Sequence, residues 1–441
     1  MSADFHIQTQ ANKIENKADA LSLAIIACQI CFLLFINFSI SLSQISAFLG
    51  IGLWFTKLTI TRSWAETRWP LRWPFALFAV ITIAVNIVFF DADVFTKELR
   101  RLFLIFIFFW VINTFSETHL ESFLSRLPKF LKPKPVQGEV SKTTGPRELH
   151  GASLYVILFI SMGVLSACLG LLEGFSMEEA ILWRSSGTLA DVVSYSLLLM
   201  VAMVMAVSGW IFCENKKAFF TLSIIFLAAG LILSLTRQAW LGVLVASLFL
   251  IFLKNRFWAM IFPLLLAIAI SLAPQPITDR FYQIVDPDQY DENNAVGNRI
   301  RLWKAGWDVF KDHPVMGCGA ACLTRVYQEY PQHPILNRLQ HLHNSILQIA
   351  VDMGILGLSS WLMIWIAYLV KLYRIARHGL DDTDRWIVFG VTGVIIAFFI
   401  SGLFENNFFD SEFMMLLYFI MALPFVVSRP DTPSTSSSTA S

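Results

Sequence analysis

Long apolar runs separated by short polar segments fill most of the chain, and one extended polar stretch, Pro274 to Ser345, divides them into two blocks. A helix crosses a bilayer core with about 20 apolar residues, in a range of roughly 17–25. The runs that predict such helices are 21–37, 39–57, 73–90, 99–116, 152–173, 189–212, 218–235, 239–253, 257–273, 345–370, 386–404 and 408–427. The expected fold is an all-α polytopic membrane protein with about 12 transmembrane helices. Its parts are an inner N-terminal segment over 1–20, helices one to nine over 21–273 and an outer loop with an amphipathic helix over 274–344. Helices ten to twelve follow over 345–427, then a Pro/Ser/Thr-rich tail, 428–441, expected to be disordered.

Basic residues orient this scaffold, because short cytoplasmic loops are enriched in Lys and Arg. With the N-terminus inside, the basic segments 57–72, 126–147, 216–217, 254–256 and 371–385 all fall inside. The segments holding Asp91 and Asp93, Glu173 to Glu179, and Glu405 to Glu412 fall outside with the long loop. One joint needs a physical argument. Residues 219–253 are apolar except for Ser234-Leu235-Thr236-Arg237-Gln238. A single helix of that length would span about 50 Å and leave Arg237 near the bilayer centre, at a cost of at least ~2.5 kcal/mol. A hairpin avoids both and puts Arg237 at the outer surface.

Composition agrees with a membrane scaffold: 56% of the 441 residues are hydrophobic, only 15% are charged, and Phe alone accounts for 39. A formal charge of +1 argues against nucleic acid as a partner. No small-residue cleavage site follows the first apolar run, which reads as an uncleaved span. Cys28, Cys31, Cys168 and Cys213 fall in or near apolar spans as small core residues. Cys318 and Cys322 sit four apart in the long loop, where pairing or free thiols are both open.

Candidate chemistry gathers at the outer ends. Arg237 is either an interfacial arginine reaching lipid phosphates or a cation aimed at an anionic headgroup substrate, for which its planar fork is suited. Over 299–311, Ile300, Trp303, Trp307 and Phe310 recur at helical spacing and predict one apolar face. Arg299 shares that side, flanked by Arg301 and Lys304. This could be an amphipathic helix on the bilayer or a carrier of guanidinium groups to a lipid-linked phosphate. His343 precedes Asn344 and Ser345, good helix N-caps, at the positive end of a helix dipole that favours a neutral imidazole, the form a general base needs. His341 points elsewhere if the backbone is extended. Asp352 lies about 13 Å deeper by helical rise and should face the bundle interior. Glu405, Asp410 and Glu412 lie on the same side, and any of them could orient His343 or an arginine. No His/Cys/Asp/Glu cluster has metal spacing, no Gly-rich phosphate loop opens a helix, and no Ser-centred elbow occurs. Neither a metal nor a cofactor is expected.

Four segments together resemble the O-antigen ligase/polymerase superfamily: Arg184-Ser185-Ser186-Gly187-Thr188-Leu189-Ala190-Asp191; Ser234-Leu235-Thr236-Arg237-Gln238-Ala239-Trp240; Arg299-Ile300-Arg301-Leu302-Trp303 with Asp312-His313-Pro314-Val315-Met316-Gly317-Cys318-Gly319; and His341-Leu342-His343-Asn344 with Leu347-Gln348 and Asp352-Met353-Gly354-Ile355-Leu356-Gly357. In the first, Val192-Val193 departs from the commoner Pro-Asn. The resemblance implies a GT-C-like, metal-independent glycosyltransferase in the inner membrane of a Gram-negative bacterium, its site facing the periplasm. Its donor would be a polysaccharide on undecaprenyl diphosphate and, in the ligase branch, its acceptor a hydroxyl of the lipid A-core oligosaccharide, with membrane lipids around it. By the same resemblance Arg237 and Arg299 hold the diphosphate with Arg301 assisting, and His343 acts as base. His341, Asn344, Asp352, Glu405 and Asp410 stand behind them. An O-antigen or exopolysaccharide polymerase, a protein O-oligosaccharyltransferase, or a transporter of lipid-linked sugars are the alternatives.

Overall fold

Each apolar run is helical over most of its length in the computed structural model, which describes residues 2–126, 151–176, 189, 191–271, 295–337, 341–378 and 384–428. The helices are α1 (Ser2–Phe35), α2 (Ile40–Thr61), α3 (Arg72–Val88), α4 (Ala92–Thr114), α5 (Glu117–Arg126), α6 (Gly151–Ser176), α7 (Val192–Phe212), α8 (Lys217–Leu233), α9 (Arg237–Lys254) and α10 (Arg256–Ser271). After the undescribed start of the long loop come α11 (Ala295–Asp312), α12 (Ser345–His378), α13 (Arg385–Gly402) and α14 (Ser411–Val427). No strand occurs among the described residues. The expected inner segment 1–20 is not separate, since α1 is helical from Ser2. The expected tail lies outside the described residues beyond Ser428, as does 274–294 of the loop.

Six helices each hold a stretch long and apolar enough to cross a membrane: α1, α6, α7, α9, α12 and α13. The pair α4 and α5, bent by 88°, meets the same description together, and α3, α8 and α14 are apolar but shorter. The chain is thus an all-helical, multi-pass membrane protein. α7 and α14 form its centre, burying most of their side chains among neighbours that include α4, α9 and α13. One polar chain inside is paired from end to end: the Tyr155 hydroxyl donates to Gln29 Oε1 at 2.7 Å, and Gln29 Nε2 donates to Thr114 Oγ1 at 2.8 Å. Such pairing is what an apolar surround demands.

Two features position the functional end. The first is the hairpin between α8 and α9. Leu235 takes φ +50°, the Ser234 hydroxyl donates to the Leu231 carbonyl at 2.7 Å, and Trp240 Nε1 donates to the same carbonyl at 2.6 Å. Three residues thus reverse the chain without Gly or Pro. α9 then runs antiparallel to α13, with Gly242 against Ala397 and Leu250 near Gly393, so Arg237 lies level with the Gly402 end of α13.

The second is a break in α12. Gly354 has φ 62° and ψ −164° inside the helix, and the long loop fills the gap. Cys318 N–H donates to the Val351 carbonyl (3.2 Å) and Gly319 N–H to that of Asp352 (2.8 Å). In return, Ile355 N–H donates to the Pro314 carbonyl at 2.8 Å and Leu356 N–H to that of Val315 at 3.3 Å. Irregular backbone inside a membrane protein survives where protein satisfies it. Gly317 and Gly354 both have positive φ, and a Cβ on either would collide with the facing backbone. The two glycine-bearing motifs of the sequence are therefore the two halves of one lock.

Candidate active site

α11 and the loop after it form a cap with its own small core, in which Leu302, Ala305 and Val309 pack with Cys322, Leu323, Leu336 and Leu342. The expected apolar face at Ile300, Trp303, Trp307 and Phe310 is corrected. Those residues flank the buried stripe, and Trp307 is 54% exposed. Gly306 is the physical reason: a Cβ there would sit 2.6 Å from Leu342 Cδ1, so the smallest residues mark the contacting face. Cys318 and Cys322 are joined in a disulfide, which resolves the question left open by their spacing.

The cap holds the histidine segment, 341–344, from above. Trp303 Nε1 donates to the Leu342 carbonyl at 3.0 Å. Gln348 Oε1 accepts from Leu342 N–H (2.9 Å), and Gln348 Nε2 donates to Asp352 Oδ2 (3.0 Å). Asp352, 2% exposed, also accepts the Cys322 N–H at 3.3 Å. It is met by its own helix and by the inserted loop, and it fixes the backbone leading to His343. From below, residues 343–345 are tied to the turn between α13 and α14. Asn344 Nδ2 donates to the Leu403 carbonyl (3.1 Å), and Ser345 Oγ donates to the Glu405 carbonyl (3.1 Å) and Asn407 Oδ1 (2.8 Å). Asn344 Oδ1 meanwhile caps α12 by accepting from Leu347 N–H at 2.9 Å.

The same ties bring His343 Nδ1 to Glu405 Oε1 at 2.9 Å. Burial pushes the Glu405 carboxyl up, but His343, the Asn406 N–H and Arg299 together hold it below the usual carboxylate range. An ionised Glu405 makes Nδ1 the donor and leaves a lone pair on Nε2. Of the three acids the sequence offered, Glu405 is the one on the imidazole. Asp410 instead caps α14 through Phe413 N–H (2.9 Å) and accepts from Ser194 Oγ at 2.6 Å, beside Asp191, which caps α7.

His341 does not point away as an extended backbone would require. His343 adopts φ +47°, a left-handed conformation uncommon outside glycine, and its ring centroid lies 4.0 Å from that of His341. Burial, His343 and Arg299 hold His341 below the ordinary histidine range against the opposing charge of Glu405, and its Nδ1 is buried with no hydrogen-bond partner. One ligand atom each from His341, His343 and Glu405 lie within 4.8 Å of one another, so this trio could hold a metal ion. Local spacing did not show it because Glu405 joins from a distant part of the chain.

A cleft of ≈ 530 Å³ opens on this group. His341, His343, Glu405, Gln348, Asp352, Asp191 and Asp410 line it, and its cations are Lys97 and Arg101 of α4. Sequence reasoning singled out neither. Arg101 pairs with buried Glu98 and stacks over the Phe409 ring at 4.6 Å. The arginines singled out from sequence are placed differently. Arg299 interacts electrostatically with both Glu405 and His341, and burial lowers its pKa against the opposing effect of Glu405. Arg301 donates to Asn298 Oδ1 at 2.6 Å. Arg237 stands at the start of α9 at the same end of the bundle. None of the three is in the cleft wall. In the segment 184–191, only Leu189 and Asp191 are among the described residues.

Residues 222–362, about a third of the chain, match the O-antigen ligase family model. The match supports membership of that family. The family segment runs from α8 through the break in α12, so it contains the hairpin arginine, α11, the glycine lock and both histidines. Glu405, Lys97 and Arg101 reach the O-antigen ligase segment from outside it. No curated protein matches the chain.

Proposed function

We propose that the protein is an O-antigen ligase of the bacterial inner membrane, with a GT-C-like fold of about 12 spans and a cleft open to the periplasm. It transfers a polysaccharide from undecaprenyl diphosphate to a hydroxyl of lipid A-core. The observation that carries this reading is the His343–Glu405 pair facing a polar cleft whose wall also presents Lys97 and Arg101, with Arg299 beside the pair. His343 Nε2 takes the proton of the acceptor hydroxyl while Nδ1–H stays on Glu405, which stabilises the imidazolium that forms. The freed oxygen attacks the anomeric carbon as the bond to the diphosphate breaks. The leaving diphosphate takes the electron pair, and fixed cations meet the charge as it develops. Arg237 and Arg299, with Arg301, serve the diphosphate, and Lys97 and Arg101 extend that positive set into the cleft. A direct displacement of this kind inverts the anomeric centre.

Deleting the gene in its host and resolving the lipopolysaccharide on a gel tests the proposal. Loss of every O-antigen-bearing lipid A-core band, with polymer accumulating on undecaprenyl diphosphate, is the expected result. Core capped with single repeat units would make the protein a polymerase instead. Lipid-linked repeats retained on the cytoplasmic side would make it a transporter.

A further inference from the structure

The end of the bundle opposite the cleft carries a second cavity. α7 connects the two: Asp191 at its start lines the cleft, and Trp210 and Ile211, about 30 Å away by helical rise, line a slot of ≈ 630 Å³ between α7, α9 and α10. Trp258 and Phe262 extend its apolar wall, and Lys217 and Lys254 stand on its sides. Lys217 Nζ donates to the Trp210 carbonyl and lies 5.9 Å from that indole, while Lys254 Nζ lies 5.9 Å from the Phe212 ring. Trp210 and Trp258 are 48% and 56% exposed, so the slot is open to whatever surrounds the helices. Lys216 and Arg256 flank the two lysines, and across 210–217 and 251–262 the only carboxylate is Glu214.

An apolar slot within the roughly 300–1,000 Å³ of ordinary ligand sites bears a net positive charge here at the ends of membrane helices. Its occupant should be apolar over most of its length and anionic at one end. We propose that the slot binds an anionic phospholipid, one acyl chain lying along Trp210, Trp258 and Phe262 and the phosphate held between Lys217 and Lys254. Charge complementarity selects this occupant. A zwitterionic lipid would bring a third cation to a site already carrying two, and a free phosphate would leave the apolar wall uncovered. Basic pockets between transmembrane helices recognise headgroups in this way. The site is separate from the transfer reaction and does not depend on it.

Native mass spectrometry of the full-length protein in detergent tests the proposal, with titrations of phosphatidylglycerol and phosphatidylcholine of matched acyl chains. The wild type should bind phosphatidylglycerol more tightly. Lys217→Ala with Lys254→Ala should weaken that binding on the order of 30-fold, leaving phosphatidylcholine binding unchanged, and Lys217→Arg with Lys254→Arg should restore it. Unchanged thermal melting of the alanine pair in lipid-free detergent would show that the bundle is intact. Equal affinity of the wild type for the two lipids, or a phosphatidylglycerol preference that survives in a folded alanine pair, would overturn the site.

Discussion

α7 and α14 bury most of their residues among neighbouring helices, whereas α11 rests on one narrow stripe, Leu302, Ala305, Gly306 and Val309. The rest of its hold on the active end is discrete: an indole on the Leu342 carbonyl, a Gln348–Asp352 relay, and two glycines that admit the loop into α12, while one disulfide braces the loop itself. A bundle held by many small dispersion contacts spreads the loss of any one of them. A cap held by a few directed contacts does not. The proposed chemistry sits at the seam between them, because His343 belongs to the cap's segment and Glu405 to the bundle's turn.

Substitutions on the two sides of that seam should therefore behave differently. Gly354→Ala should have the largest effect on transfer. Its Cβ meets the Val315 carbonyl and its φ is positive, a backbone cost of roughly 1–3 kcal/mol before any clash. The loop 314–319 should leave α12, seen as rapid hydrogen exchange there, and transfer should vanish while the bundle still melts cooperatively. Glu405→Gln should come next. It keeps a hydrogen-bond acceptor near Nδ1 and loses the charge that stabilises the imidazolium. Turnover should fall roughly 10²-fold, with little change in the apparent KM for the donor. Cys318→Ser with Cys322→Ser removes a short covalent loop, with an expected loss of about 2 kcal/mol. Hydrogen exchange should show that loss in the cap and not in α7, with a few-fold decrease in transfer. Leu199→Ala, in the middle of α7 and 0% exposed, should reverse the pattern. It should destabilise the bundle by roughly 2–5 kcal/mol yet leave transfer per folded molecule unchanged.

Much of the bundle was legible in the sequence, since the length of its apolar runs follows directly from the bilayer's thickness. The hairpin at Arg237 was legible for the same reason: the alternative buries a guanidinium at high cost. What escaped depended on contacts between distant residues. The contacting face of α11 is marked by Gly306, a residue that hydrophobic periodicity ignores. The convergence of His341 and His343 needs a left-handed residue, which the Gln348 and Trp303 ties impose from outside the segment. Glu405 was one of three acids, and only the bonds from Asn344 and Ser345 to the 403–407 turn bring it to His343. Lys97 and Arg101 were not singled out because the turn at 405–410, which makes them a wall, lies some 300 residues later.

In the proposed reaction His343 serves as the base across the seam. The most direct measurement is the rate of transfer by purified His343→Ala in liposomes holding lipid-linked donor and lipid A-core acceptor, with donor binding followed in parallel. A rate lower by roughly 10²–10⁴-fold, the range that general-base assistance supplies, with donor binding intact, is the predicted result. Transfer at the wild-type rate in that variant would contradict it.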